Sequence, residues 1–85
     1  MSIEELVKEF GKGATSGKAS NGRVRIEGDN LVNYYTIIAT RTNGGVMLNN
    51  KHYSQTTTKL QNKIRYYCNV IKEYEGDDAT IIYAW

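Results

Sequence analysis

The residue types that most often do chemistry are thin in this 85-residue chain. It holds one histidine, His52, and one cysteine, Cys68, sixteen positions apart on what read as different elements. A working nucleophile needs a base within hydrogen-bond reach and a third group to orient that base. His52 has no carboxylate near it in sequence, and Cys68 reads as a half-buried packing residue. No metal-ligand spacing is present. The run "EYEGDD" lacks the ordered oxygen alternation of a calcium loop and reads as an exposed turn. The stretch "SGKAS" invites comparison with a phosphate-binding loop, but Lys12 stands where that pattern needs glycine, and Ala19 where it needs Ser or Thr. These absences predict a non-enzymatic protein with no metal and no cofactor.

Binding chemistry has more support. In "KHYSQTTTKLQNKIRYY", residues 51 to 67, three threonines precede Lys59, Lys63 and Arg65. A helix N-terminus offers unpaired N–H groups and partial positive charge, and threonine hydroxyls add donors. Thr58, Lys59, Lys63, Arg65 and Tyr66 fall on the outward side of the helix expected here, supplying cations and a ring for an acidic partner. The same residues have a plainer reading, in which one threonine caps the helix and the lysines face water. Charge distribution extends the candidate surface. Residues 30 to 72 carry six bases, Arg41, Lys51, Lys59, Lys63, Arg65 and Lys72, and no acid. A surface built from that block is positive and favours phosphate or an acidic protein, so Lys51 and Arg41 join the set.

The elements that must position these residues follow from periodicity. "SIEELVKEF" places Ile3, Leu6, Val7 and Phe10 on one helical stripe, with Ser2 and Glu5 at capping-box spacing and Gly11 as the stop. Residues 11 to 22 are Gly-, Ser- and Lys-rich and read as a flexible loop. "RVRIE" alternates as a strand with Val24 and Ile26 inward, and "GDN" is a turn. "LVNYYTIIATR" reads as one long strand of mixed alternation, covered on both faces or carrying an exposed tyrosine. Asn43-Gly44 predicts a hairpin with a type I′ turn into the strand "VMLN". A second helix is expected from Thr56 or Thr57 to about Tyr74, with Leu60, Ile64, Tyr67, Ile71 and Tyr74 within roughly 80° of arc. "ATIIYAW" supplies a last strand, whose apolar edge suits partner pairing or a homo-oligomer. The expected fold is one α+β domain over residues 1 to 85, ordered α-β-β-β-α-β, an antiparallel sheet with helices packed on one face. That order has a topological analogy with double-stranded RNA-binding domains.

A more specific resemblance lies in "NGRVRIEGDNLVNYYTIIATR" and "LNNKHYSQTTTKLQNKIR". There Tyr53, Ser54, Thr56, Thr57, Lys59 and Gln61 follow a Tyr-Ser-x-Thr-Thr-x-Lys-x-Gln pattern. This resembles a small bacteriophage protein family of unknown function across residues 21 to 65. The resemblance implies a phage protein and no particular activity. Two expectations follow: an inhibitor of a host defence nuclease or nucleoprotein, of the anti-CRISPR kind, or an accessory protein that binds DNA or RNA. A lone cysteine and the lack of any signal-peptide-like or membrane-spanning apolar run lead to an expectation of the cytoplasm of an infected bacterial host, without membrane contact.

Overall fold

A computed structural model of the chain describes residues 1–76. Helix α1 spans Ile3–Gly11 and begins as its capping box predicts. The Ser2 hydroxyl accepts the Glu5 N–H at 3.1 Å, and the Glu5 carboxylate accepts the Ser2 N–H at 3.3 Å. Its apolar stripe is buried through Leu6, Val7 and Phe10. The strands are β1 Ser16–Ala19, β2 Val24–Glu27, β3 Asn30–Asn33, β4 Thr36–Thr42, β5 Gly45–Asn49 and β6 Val70–Tyr74, with α2 Gln55–Tyr67 before the last. They form one sheet in chain order, antiparallel from β1 to β5, with β6 added parallel to β5. The class is mixed α+β, with more strands than the periodicity predicts.

One core holds the layers together. Val24, Ile26, Leu31, Ala39, Val46 and Leu48 of the sheet pack against Leu6, Val7 and Phe10 of α1 and Leu60 and Ile64 of α2. Burying an aliphatic side chain is worth about 1.5–3 kcal/mol, so these contacts dominate the stability of so small a sheet.

Several expectations are corrected by long-range contacts. Residues 11–22 are not a loop throughout: they form β1 and a 3-10 turn, Ser20–Gly22. Ordering comes from Arg41, whose guanidinium donates to the carbonyls of Phe10 (2.7 Å), Ala14 (2.6 Å) and Gly28 (2.6 Å). It also sits 4.7 Å from the centre of the Phe10 ring. The long strand expected from Leu31 to Arg41 is two strands, β3 and β4, joined by a tight turn at Tyr34-Tyr35 between the paired residues Asn33 and Thr36. A bulge shifts the register after Leu31, so Ile38 and Ala39 are both buried, which explains the mixed alternation.

The Asn43-Gly44 hairpin stands where expected, but neither residue takes positive φ, so its turn is not type I′. Gly45 does, at 152°, and a Cβ there would lie 2.5 Å from the Asn69 carbonyl oxygen. Glycine is needed where the first residue of β5 meets the chain entering β6. The second helix is capped by Ser54 instead of Thr56 or Thr57, and it ends at Tyr67 instead of continuing to Tyr74. Cys68 is extended, and β5 pulls the following residues into the sheet: Val46 N–H donates to Asn69 O at 2.8 Å, and Asn50 N–H to Tyr74 O at 2.7 Å. Ile71, expected in the helical core stripe, is 52% exposed on β6. The strand expected at residues 79 to 85 lies outside the described residues.

Candidate binding face of the second helix

The corner between β5 and α2 is built on Asn49, whose side chain is fully buried. Its amide nitrogen donates to Ile37 O at 3.2 Å and to the Tyr53 hydroxyl at 2.8 Å. Its amide oxygen accepts the N–H groups of Lys51 at 3.1 Å and Gly76 at 2.9 Å. Gln61 reaches back from α2 to donate to Asn49 O (2.7 Å) and Lys51 O (3.0 Å). Ser54 accepts the Thr57 N–H at 3.1 Å as N-cap, and the Thr57 hydroxyl oxygen accepts from Asn33 Nδ2 at 3.1 Å. Every buried side-chain polar atom among the described residues has a hydrogen-bond partner. A satisfied network of this kind fixes the direction in which α2 leaves the sheet.

That direction sets what α2 shows to solvent. With Leu60 and Ile64 in the core, Lys59, Asn62, Lys63 and Tyr66 line a groove of about 350 Å³ against α1, completed by Glu4 and Tyr67. Tyr66 is 80% exposed, and its ring meets the Tyr67 ring edge-on at 4.8 Å. The Tyr67 hydroxyl donates to Glu4 Oε1 at 2.7 Å. Lys8 stands 3.7 Å from the other Glu4 oxygen and 4.9 Å from the Tyr67 ring centre. The Tyr67 hydrogen bond, aided by Lys8 and Lys63, holds the Glu4 carboxyl below its ordinary range. The same bond raises the Tyr67 phenol above its own, so the phenol stays protonated. Among the described residues, neither Lys59 nor Lys63 has a carboxylate at ion-pair distance. Two ammonium groups one helical turn apart beside an exposed ring can take an anionic group, with Glu4, already bonded to Tyr67, as the carboxylate sharing the groove.

The seven residues named from sequence divide accordingly. Lys59, Lys63 and Tyr66 share the groove. Arg65 is held by Glu73 at 3.0 and 2.8 Å, a two-pronged pair that raises its pKa and lowers that of Glu73. Thr58 donates to Ser54 O at 3.0 Å and lies 3.3 Å from His52 Nδ1. Lys51 stands 5.9 Å from the Tyr53 ring centre, at the corner. Arg41 does not line this groove, its guanidinium occupied by the carbonyls of Phe10, Ala14 and Gly28. Glu4, Lys8 and Tyr67 are additions that periodicity alone does not supply, because α1 and α2 lie far apart in sequence. Cys68 is half-buried with its thiol 3.7 Å from Val7 O, and burial raises its pKa despite the nearby Arg41 charge, which keeps the less reactive thiol form. Among the described residues no group of three His, Cys, Asp or Glu side chains could hold a metal, and no helix is long and apolar enough to cross a membrane.

No protein-family model matches the chain, and comparison with the curated proteins and with the solved structures found no match.

Proposed function

We propose that this is a non-enzymatic binding protein of the bacteriophage type, which inhibits a host defence complex, as anti-CRISPR proteins do, by covering an acidic surface with the exposed face of α2. One observation carries the reading. Within the Tyr-Ser-x-Thr-Thr-x-Lys-x-Gln pattern, the side chains of Tyr53, Ser54, Thr57 and Gln61 all bond inside the fold. Lys59 is exposed and bonds to nothing among the described residues. A charged residue that the corner does not need, set beside Lys63 and Tyr66, is available for a partner.

Phage plating efficiency on a host with its defence system active tests this. The wild-type protein restores plating, and Lys59→Glu/Lys63→Glu, with an unchanged thermal melt, abolishes restoration. A double variant that melts normally and still restores plating overturns the reading. Direct contact with DNA or RNA through the same face is a second reading, favoured by the 80% exposure of Tyr66 beside the two lysines. It requires affinity that falls steeply with salt and weakens on Lys59→Ala/Lys63→Ala whatever the base sequence.

A further inference from the structure

The turn between β3 and β4 holds a second cluster of aromatic and cationic side chains, sharing no residue with the α2 groove. Tyr34 and Tyr35 stand side by side at its tip, 56% and 58% exposed. The Arg23 guanidinium lies 5.4 Å from the Tyr34 ring centre. Ser20, Asn21, Gly22, Arg23, Arg25, Tyr34 and Tyr35 enclose a groove of about 330 Å³, with no carboxylate among its described lining residues. A neighbouring groove shares Ser20, Asn21 and Gly22 and adds Lys18, again without a carboxylate among its described lining residues.

Two arrangements here are unfavourable for the isolated fold. Tyr34 has φ of 57°, a left-handed conformation that is an outlier for a bulky side chain and is normally filled by glycine in a tight hairpin turn. Lys18 and Arg25 are directly opposed on β1 and β2, and like charges in that relation repel. Arg25 is bonded to Glu27, which lessens the repulsion without removing it. Strain of this kind persists where the surrounding structure holds a side chain in place for another purpose.

We propose that the tip binds single-stranded nucleic acid. Unpaired bases stack on the rings of Tyr34 and Tyr35, while phosphates meet Arg23 and Lys18. Rings at a projecting turn reach bases only where these are unstacked, which favours a single strand over a duplex. Aromatic faces joined to the cations Arg23 and Lys18 fit a polyanion that carries π-surfaces, and an acidic protein surface supplies only the charge.

The test is fluorescence anisotropy with short labelled oligo(dT) and oligo(rU), compared with a blunt duplex at about 50 mM salt. The single strands bind at least about tenfold tighter than the duplex, and Tyr34→Gly and Tyr35→Ala each weaken them by about tenfold. Tyr34→Gly also raises the melting temperature by about 2–6 °C, because glycine accepts the turn without strain. Loss of affinity in a more stable protein is a result that a purely structural tyrosine does not give. Single-strand affinity that falls in Lys59→Ala/Lys63→Ala while the tip variants bind as wild type assigns the binding to the α2 face and overturns the proposal, so failure at the tip is distinguishable from failure of the α2 face. The proposal is overturned if neither oligonucleotide binds at low salt, or if Tyr34→Gly binds with wild-type affinity. It is also overturned if tip variants lose an acidic protein partner but keep oligonucleotide affinity.

Discussion

Between β5 and α2 the chain turns through residues 50–54, and between β3 and β4 it turns through Tyr34 and Tyr35. Tyrosine and neighbouring cations occur in both places. At the corner the polar groups bond to one another: the Tyr53 hydroxyl accepts from Asn49, and Gln61 closes two backbone carbonyls. At the tip the two rings are more than half exposed, Tyr34 beside the Arg23 guanidinium, and the backbone beneath Tyr34 is strained. The difference separates two uses of polar sequence. Where a buried amide organises a corner, its partners are spent on architecture. Where Tyr34 stays exposed at a conformational cost, its ring can meet a ligand. The outward face of α2 lies between these cases, since the corner aims it yet does not use Lys59.

The largest test of the contrast is Asn49→Leu. It removes four hydrogen bonds and leaves buried N–H and C=O groups unpaired, so unfolding free energy falls by about 3 kcal/mol or more in urea titration. Loss below about 1 kcal/mol would mean that the corner is not the organising centre. Arg41→Lys comes next. An ammonium on a different stem cannot serve three carbonyls in the fork geometry of guanidinium, and about 2 kcal/mol is lost, with faster hydrogen exchange in β1. Partner binding through α2 is unchanged in that variant, since Arg41 does not line the α2 groove.

Ser54→Ala removes the α2 cap and costs about 1 kcal/mol, whereas Thr56→Ala changes stability by less than about 0.5 kcal/mol, both read from thermal melts. An equal loss in the two variants would return the cap to the threonine run.

The smallest effect concerns pH. The Glu4 and Glu73 carboxyls are both depressed in the fold, the first mainly by Tyr67 and the second mainly by Arg65. Their contributions are therefore present above the ordinary carboxyl value of 4.5 and disappear as pH falls through the depressed values. Melting temperature is accordingly flat from neutral pH down to about 5 and declines below it. Glu4→Gln makes that acid decline shallower, and the same slope in wild type and variant would exclude the Tyr67–Glu4 contact as a source of it.

Local signals were strong where neighbours in sequence do the work. Ser2, Glu5 and the stripe through Phe10 define α1 because capping and 3.6-residue periodicity act within two turns. Val24 and Ile26 alternate on β2, and Asn43-Gly44 marks a hairpin through its turn preference. Leu60 and Ile64 mark the buried side of α2, so Lys59, Lys63 and Tyr66 could be named as its outward residues. Other features had no local signature. "LVNYYTIIATR" reads as one strand because β-branched and aromatic residues suit strands generally, and nothing beside Tyr34 announces a left-handed residue. Its two out-of-phase alternations were the available hint of a break.

Residue chemistry and spacing by themselves determined the helix stripes, the alternating strands and the uneven placement of charge, since these depend on contacts within a few residues. Tertiary structure decided which cations remain available. Arg41 is drawn into carbonyls left open by α1 and the β2–β3 turn, and Arg65 is captured by Glu73 only because α2 stops at Tyr67 and β6 returns along β5. Hydrogen-bonding groups must be satisfied wherever the chain buries them, and which ones meet is settled by packing between segments far apart in sequence.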